Sequence, residues 1–114
     1  GYIFMRDSIR KSLEGGINFY DNAEIYGAGI CESFMGRAFQ ELKVPREKIV
    51  ISTKLFNCGT GVNDCYLSRK HIMEGINNSL KRLQTDYVDV YFCHRPDYET
   101  PLEETCRAMN TLIN

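Results

Sequence analysis

Three short runs rich in β-branched and aromatic residues constrain this chain more than any other feature: Ile17–Tyr20, Ile49–Thr53 and Val88–Cys93. They begin 32 and 39 residues apart, and apolar residues at helical spacing fill the intervals. That rhythm matches a βα repeat. Strands that alternate with helices pair in parallel, because each crossover returns the chain to the same end of the sheet. Each run also finishes on an ionisable side chain: Asp21 after the first, Lys54 after the second and His94 after the third. Core packing alone rarely produces that set, whereas an α/β barrel carries its chemistry at the C-terminal ends of its strands.

The intervals read as helices. Asp7 to Glu14 puts Ile9 and Leu13 on one face, and Gly15–Gly16 supplies a stop that tolerates the left-handed conformation. A loop, Asp21–Ile30, holds Glu24, Tyr26, Gly27 and Gly29, and a helix follows over Cys31–Leu42 with Phe34, Ala38, Phe39 and Leu42 as its apolar set. Residues Leu55 to Leu67 make a connection far longer than the usual βα loop of about 2–6 residues. They read as a segment that holds or covers substrate, with disorder as the competing reading. Ser68 is a candidate N-cap for a helix over Arg69–Leu83 striped by Ile72, Ile76, Leu80 and Leu83. Pro101 at N1 and a Thr100–Glu103 capping box open a last helix, with Leu102, Cys106, Met109 and Leu112 or Ile113 as its buried face.

The order is α-β-α-β-α-β-α. Three parallel strands alone leave two open edges and a half-covered core. The expected fold is therefore α/β, a (β/α)8 TIM-barrel segment of about half a barrel, since a whole barrel takes roughly 250 residues. The single domain, residues 1–114, is expected to lack the first strand and the C-terminal half of such a barrel. The alternative is a small three-stranded open sandwich.

Bulk properties exclude several functions. A formal net charge of −1 gives no electrostatic support for nucleic-acid or anionic-membrane binding. No apolar run approaches the roughly 20 residues that span a bilayer, and the N-terminus has no signal-peptide layout. Five cysteines, an odd number without CxxC spacing, argue against a disulfide framework or a zinc site and for free thiols in a reducing cytoplasm. Cys93 reads as a buried strand residue rather than a reactive thiol.

Asp21, Tyr26, Lys54 and His94 make chemical sense together. A phenol is a poor acid at neutral pH, but a nearby ammonium stabilises the phenolate it leaves behind. A carboxylate holds that ammonium in place, and an imidazole can orient a carbonyl oxygen. The product is a proton donor aimed at a carbonyl, which hydride reduction of an aldehyde or ketone requires. The hydride must come from a nicotinamide. Parity puts Phe19, Ser52 and Phe92 on one sheet face with Asp21, Lys54 and His94, the face that would point into a barrel, and sends Tyr91 towards the helices. Singly, each residue has an ordinary reading: a solvated strand end for Lys54, a turn histidine for His94, a surface aromatic for Tyr26 and an Asx turn for Asp21–Asn22.

The stretches GINFYDNAEIYG, REKIVISTK, SLKRLQTDYVDVYFCHRPD and TPLEETCRAMNTLIN resemble the aldo-keto reductase superfamily. The run LSRKHIMEGINNSLKRLQTDYVDVYFCHRPD is most similar to the group holding the potassium-channel β subunits and their microbial relatives. The resemblance implies a (β/α)8 barrel that binds NADPH and a catalytic tetrad falling on Asp21, Tyr26, Lys54 and His94. It makes Tyr26 the proton donor, Lys54 its activator, and His94 the residue that orients substrate. Asp21 pairs with Lys54 and, with His94, lies at the cofactor's nicotinamide end. Channel-subunit members often carry asparagine where this chain has His94, which tilts the reading towards a competent reductase. The implied function is NADPH-dependent carbonyl reduction in a longer protein, with this segment inactive alone. A non-catalytic channel or scaffold partner, or a homo-oligomer, is the alternative.

Overall fold

The computed structural model describes residues 1–56, 61–63 and 65–114. Its elements run α1 (Tyr2–Glu14), β1 (Phe19–Asp21), α2 (Ile30–Glu41), β2 (Val50–Leu55), α3 (Arg69–Leu83), β3 (Val90–Cys93) and α4 (Leu102–Ile113). Short 3-10 turns occupy Tyr26–Gly29 and Arg46–Lys48. The strands form one parallel sheet in the order β1-β2-β3. Asp21 stands beside Ser52, Ser52 beside Val90, and Lys54 beside Phe92. The alternating parallel architecture expected from the repeat is present, as an α/β segment consistent with part of a barrel. Part of the connection expected to cover substrate, residues 57–60 and 64 and with them Cys58, lies outside the described residues.

The two faces of the sheet differ. Tyr20, Ile51 and Leu55 are buried under the helices, while Phe19 and Phe92 on the opposite face remain 51% and 45% exposed. This open face is the one that also carries Asp21, Lys54 and His94. On the helix side the apolar packing is divided. Ile51 belongs to a cluster with Tyr2, Ile9, Tyr20, Met35, Phe39 and Leu83, and Leu55 to another with Leu67, Ile72 and Ala108. Between Ile51 and Leu55 on that side of β2 lies Thr53, whose hydroxyl donates to the buried carboxylate of Glu32 at 2.6 Å. α2 lies so close to the end of α3 that a Cβ on Gly36 would come within 2.5 Å of the Arg82 carbonyl oxygen.

Several element boundaries differ from the sequence reading. α1 starts at Tyr2 rather than Asp7, because Tyr2 anchors the extra turn. Its ring meets Phe34 edge-on at 5.5 Å and lies beneath the Arg37 guanidinium. β1 begins at Phe19 rather than Ile17. The Ile17 N–H is used to close α1 on Ser12 O, with Gly16 at φ +93°, the Schellman arrangement. β3 begins at Val90, since the Asp89 carboxylate leaves the strand path to accept the Ile51 N–H and the Arg46 guanidinium.

The buried helix faces also shift. On α3 they are His71, Ile72, Gly75, Ser79 and Leu83. Gly75 admits β2 closely, since a Cβ there would come within 2.3 Å of the Leu55 side chain, and Ile76 and Leu80 turn into a groove shared with Met109 and Leu112. On α4, Thr105 and Ala108 are buried, while Leu102, Cys106 and Ile113 are exposed. That helix packs mainly on α3, and β3 has no further strand beside it among the described residues. Cys93 is exposed rather than buried, for the same reason. Cys31, Cys93 and Cys106 are free thiols.

The start of α4 is built differently from the expected capping box. Pro101 is the cap residue, one position before N1, and no side chain caps the helix. The work passes to Asp97, whose carboxylate accepts the N–H groups of Leu67, Glu99 and Thr100 at 3.0, 2.9 and 3.2 Å. Burial alone would raise its pKa. The hydrogen bonds from Thr100, Glu99 and Leu67 outweigh it and hold the group down to about 2. A folded-state pKa below the unfolded value near 3.9 makes the ionised group stabilising above that value, and the contribution is lost as pH falls towards about 2. Urea titrations between pH 5 and 2 should therefore show a stability loss across that window that Asp97→Asn flattens. An identical pH slope in the variant would remove Asp97 from the account.

Candidate active site

β1 ends on Asp21 and β2 carries Lys54 one residue before its end, so parallel pairing brings both to the same edge of the open face. Lys54 Nζ donates to Asp21 Oδ2 at 2.6 Å and to the Asn22 carbonyl at 2.8 Å. Ser52 Oγ donates to the other carboxylate oxygen at 2.6 Å. The Tyr26 hydroxyl lies 3.5 Å from Lys54 Nζ. His94 follows β3, its N–H donating to Leu55 O, and its ring stands edge-on to that of Tyr26 with centroids 6.0 Å apart. All four expected residues thus converge on one patch. The Lys54 side chain is only 15% exposed, while Tyr26 is 41% exposed. Tyr91 points the other way, into the helix layer, as its parity requires.

The electrostatics follow from these contacts. Burial works against charge on Asp21, yet the hydrogen bonds from Lys54 and Ser52 prevail and lower its pKa below the usual carboxylate range. Burial likewise works against the Lys54 ammonium, and the bonds to Asp21 and Tyr26 prevail to raise it. The pair therefore stays charged across the physiological range. A fixed cation beside a phenol is the arrangement that stabilises a phenolate.

Tyr26 is delivered by backbone geometry. The residues after it, Gly27, Ala28 and Gly29, have φ of 60°, 54° and 95°. Glycine adopts this region freely, but Ala28 does so only under constraint. Gly29 is also close-packed, since a Cβ there would meet the Arg82 side chain at 3.0 Å.

Reading the sequence missed a second set of polar residues beneath this patch. Glu32 is fully buried, with Oε1 bound by Arg82 at 2.8 Å and Oε2 by Thr53. Glu24 is buried beside His71, Nε2 to Oε2 3.1 Å. The Asn22 amide is buried against Met35 and Cys31. A signal for Glu32 did exist, because it shares the i, i+3, i+4, i+7 face of Met35, Gly36 and Phe39.

The sequence profile of the Aldo/keto reductase family matches residues 5–114, nearly the whole chain. The chain belongs to the aldo/keto reductase family. Among curated relatives, a protein of Oryza sativa subsp. japonica named "Probable voltage-gated potassium channel subunit beta" is 57% identical over 106 residues, covering 93% of this chain and 32% of the relative. One of the same name from Arabidopsis thaliana is 61% identical over 99 residues, covering 87% of this chain and 30% of the relative. This aldo/keto reductase segment thus spans about a third of the length of those relatives. Within the segment, no described helix is long and apolar enough to cross a membrane, and no described cluster of His, Cys, Asp and Glu has the makings of a metal site.

Proposed function

We propose that this segment supplies the proton-donating end of an NADPH-dependent aldehyde or ketone reductase, working as part of a longer, cytoplasmic barrel protein. The observation that carries the reading is the Lys54 ammonium held between the Asp21 carboxylate and the Tyr26 hydroxyl. A bound NADPH would supply the hydride. The residues fit its nicotinamide end. Asp21 is half exposed and keeps acceptor capacity beyond its bonds to Lys54, Ser52 and the Asn22 backbone, enough to take a ribose hydroxyl, and His94 borders the same opening. Lys54 is committed to Asp21 and Asn22 O, so it does not serve as a phosphate ligand.

The roles then follow from position. The carbonyl oxygen sits between the Tyr26 hydroxyl and the His94 ring. As hydride adds to the carbonyl carbon, the C–O π electrons move onto oxygen, and Tyr26 gives that oxygen its proton. Lys54 stabilises the phenolate that remains until solvent returns the proton. Asp21 keeps the ammonium aimed, and Ser52 keeps Asp21 aimed. Lys54→Met in the complete protein should lower kcat for carbonyl reduction by two orders of magnitude or more, within the range of about 10²–10⁴ for general acid catalysis. Steady-state assays with a panel of aldehydes and ketones test this. Unchanged kcat in that variant would end the proposal.

The names of the two plant relatives support a second reading, in which the complete protein is a β-type subunit that docks on a channel or scaffold. Co-purification of the complete protein with a channel, together with inert behaviour towards carbonyls, would favour it over the reductase.

A further inference from the structure

Beneath the tyrosine loop lies a carboxylate that the proposed reaction leaves unused. Glu24 stands two residues before Tyr26 and is buried on the helix side of the sheet. Parallel strands exchange hydrogen bonds at every second residue. Here Asn22 N–H to Ser52 O and Glu24 N–H to Lys54 O, 2.9 and 3.0 Å, carry that pattern past the end of β1. The next donor in the series is the Phe56 N–H. By then the chain has turned away towards Tyr26, and the Glu24 side chain provides the acceptor instead, Oε2 at 2.7 Å. The same oxygen lies 3.1 Å from Nε2 of His71, near the start of α3. One carboxylate oxygen therefore joins the loop of Tyr26, the strand end of Lys54 and a helix.

Tyr26 needs such an anchor. Its hydroxyl reaches Lys54 at 3.5 Å, the long end of hydrogen bonding. The three residues after it are all left-handed, a conformation that persists only where surrounding structure determines it. Glu24 is the buried side chain nearest to Tyr26 in the chain, and its ties reach the residue that follows the strand of Lys54 and the first turn of α3.

We infer that Glu24 and His71 are positioning residues that set the distance and angle between Tyr26 and Lys54. For its catalytic consequence this rests on the reductase reading, but its structural content does not. A misplacement of about 1 Å at a reacting group can cost about 10² in rate.

The test uses the complete protein with Glu24→Ala, Glu24→Gln and His71→Phe. Glutamine keeps an oxygen that accepts from Phe56 N–H and His71, so it separates position from charge. Glu24→Ala should lower kcat ten- to hundredfold with the KM for NADPH unchanged, Glu24→Gln should restore most of it, and amide exchange over residues 22–30 and 52–56 should quicken in the alanine variant. Should Glu24→Ala fail to fold, His71→Phe, which keeps the ring's bulk, carries the same expectation at smaller size. The inference is overturned if kcat stays within twofold of wild type, if glutamine is as damaging as alanine, or if kcat and cofactor KM worsen together. A wild-type protein that reduces no carbonyl would defeat the reductase reading alone. Hydrogen exchange would then decide the inference, with unchanged rates over those segments overturning it.

Discussion

Tyr26→Phe in the complete protein should leave cofactor binding intact and reduce turnover by about 10²–10⁴, the usual contribution of a positioned general acid. That corresponds to roughly 3–5 kcal/mol in the barrier, at about 1.4 kcal/mol per tenfold. The substitution is clean on structural grounds. The ring's described neighbours are the His94 imidazole, edge-on at 6.0 Å, and the Lys54 ammonium 5.0 Å from its centroid. Phenylalanine keeps both contacts. What it removes is the hydroxyl 3.5 Å from Lys54 Nζ. Asp21, Ser52 and Lys54 keep their mutual bonds, so the nicotinamide end of the site is preserved. Steady-state kinetics give kcat, and fluorescence titration gives NADPH affinity. A fully active variant would show that another group supplies the proton. Equal loss of binding and turnover would assign the loop a structural role.

The largest effect on stability should come from Arg82→Met. Glu32 has no exposed surface, and Arg82 meets its Oε1 with both Nε and a terminal nitrogen at 2.8 Å. Methionine keeps most of the aliphatic stem that fills the space over Gly29. It leaves a buried carboxylate with only the Thr53 hydroxyl as a described partner. Breaking a buried pair from one side costs roughly 3–5 kcal/mol, because the remaining charge is uncompensated. Adding Glu32→Gln in the same chain should recover part of that loss. By contrast, Lys70→Met breaks a helix-surface pair with Glu74 in which both side chains are 55% exposed, and it should shift stability by less than about 1 kcal/mol. Urea unfolding of the three variants measures all of this. A loss under about 1 kcal/mol for Arg82→Met would mean that Glu32 takes up a proton or water at little cost.

Glu32 also marks where reading residues in order stops working. Local patterns carry information about elements whose partners are near in sequence. The β-branched runs, the Gly15–Gly16 stop and the Ser68 cap, which accepts from His71 N–H at 3.1 Å, were legible because each depends on neighbours a few residues away. The convergence of Asp21, Lys54 and His94 was legible for a related reason. Strands paired in parallel bring their C-terminal ends together whatever the side chains between them.

Three things were decided by tertiary packing alone. A charge on an apolar helix face reads as a solvated residue until the partner is known, and Arg82 lies 50 positions from Glu32. The buried faces of α3 and α4 rotated away from their largest apolar residues, because close approach to β2 requires a small residue at 75 and α4 packs mainly on α3, and Ile76, Leu80, Leu102 and Ile113 turned outward or into a groove. The Phe56 N–H found its acceptor in a side chain 32 residues earlier. The sequence by itself determined the alternation, the parallel sheet and the shared edge of Asp21, Lys54 and His94, since periodicity and strand direction are local properties. Which charges are buried, and what holds Tyr26 at its distance from Lys54, depended on the tertiary structure, because desolvation and pairing are properties of neighbours brought together only by folding.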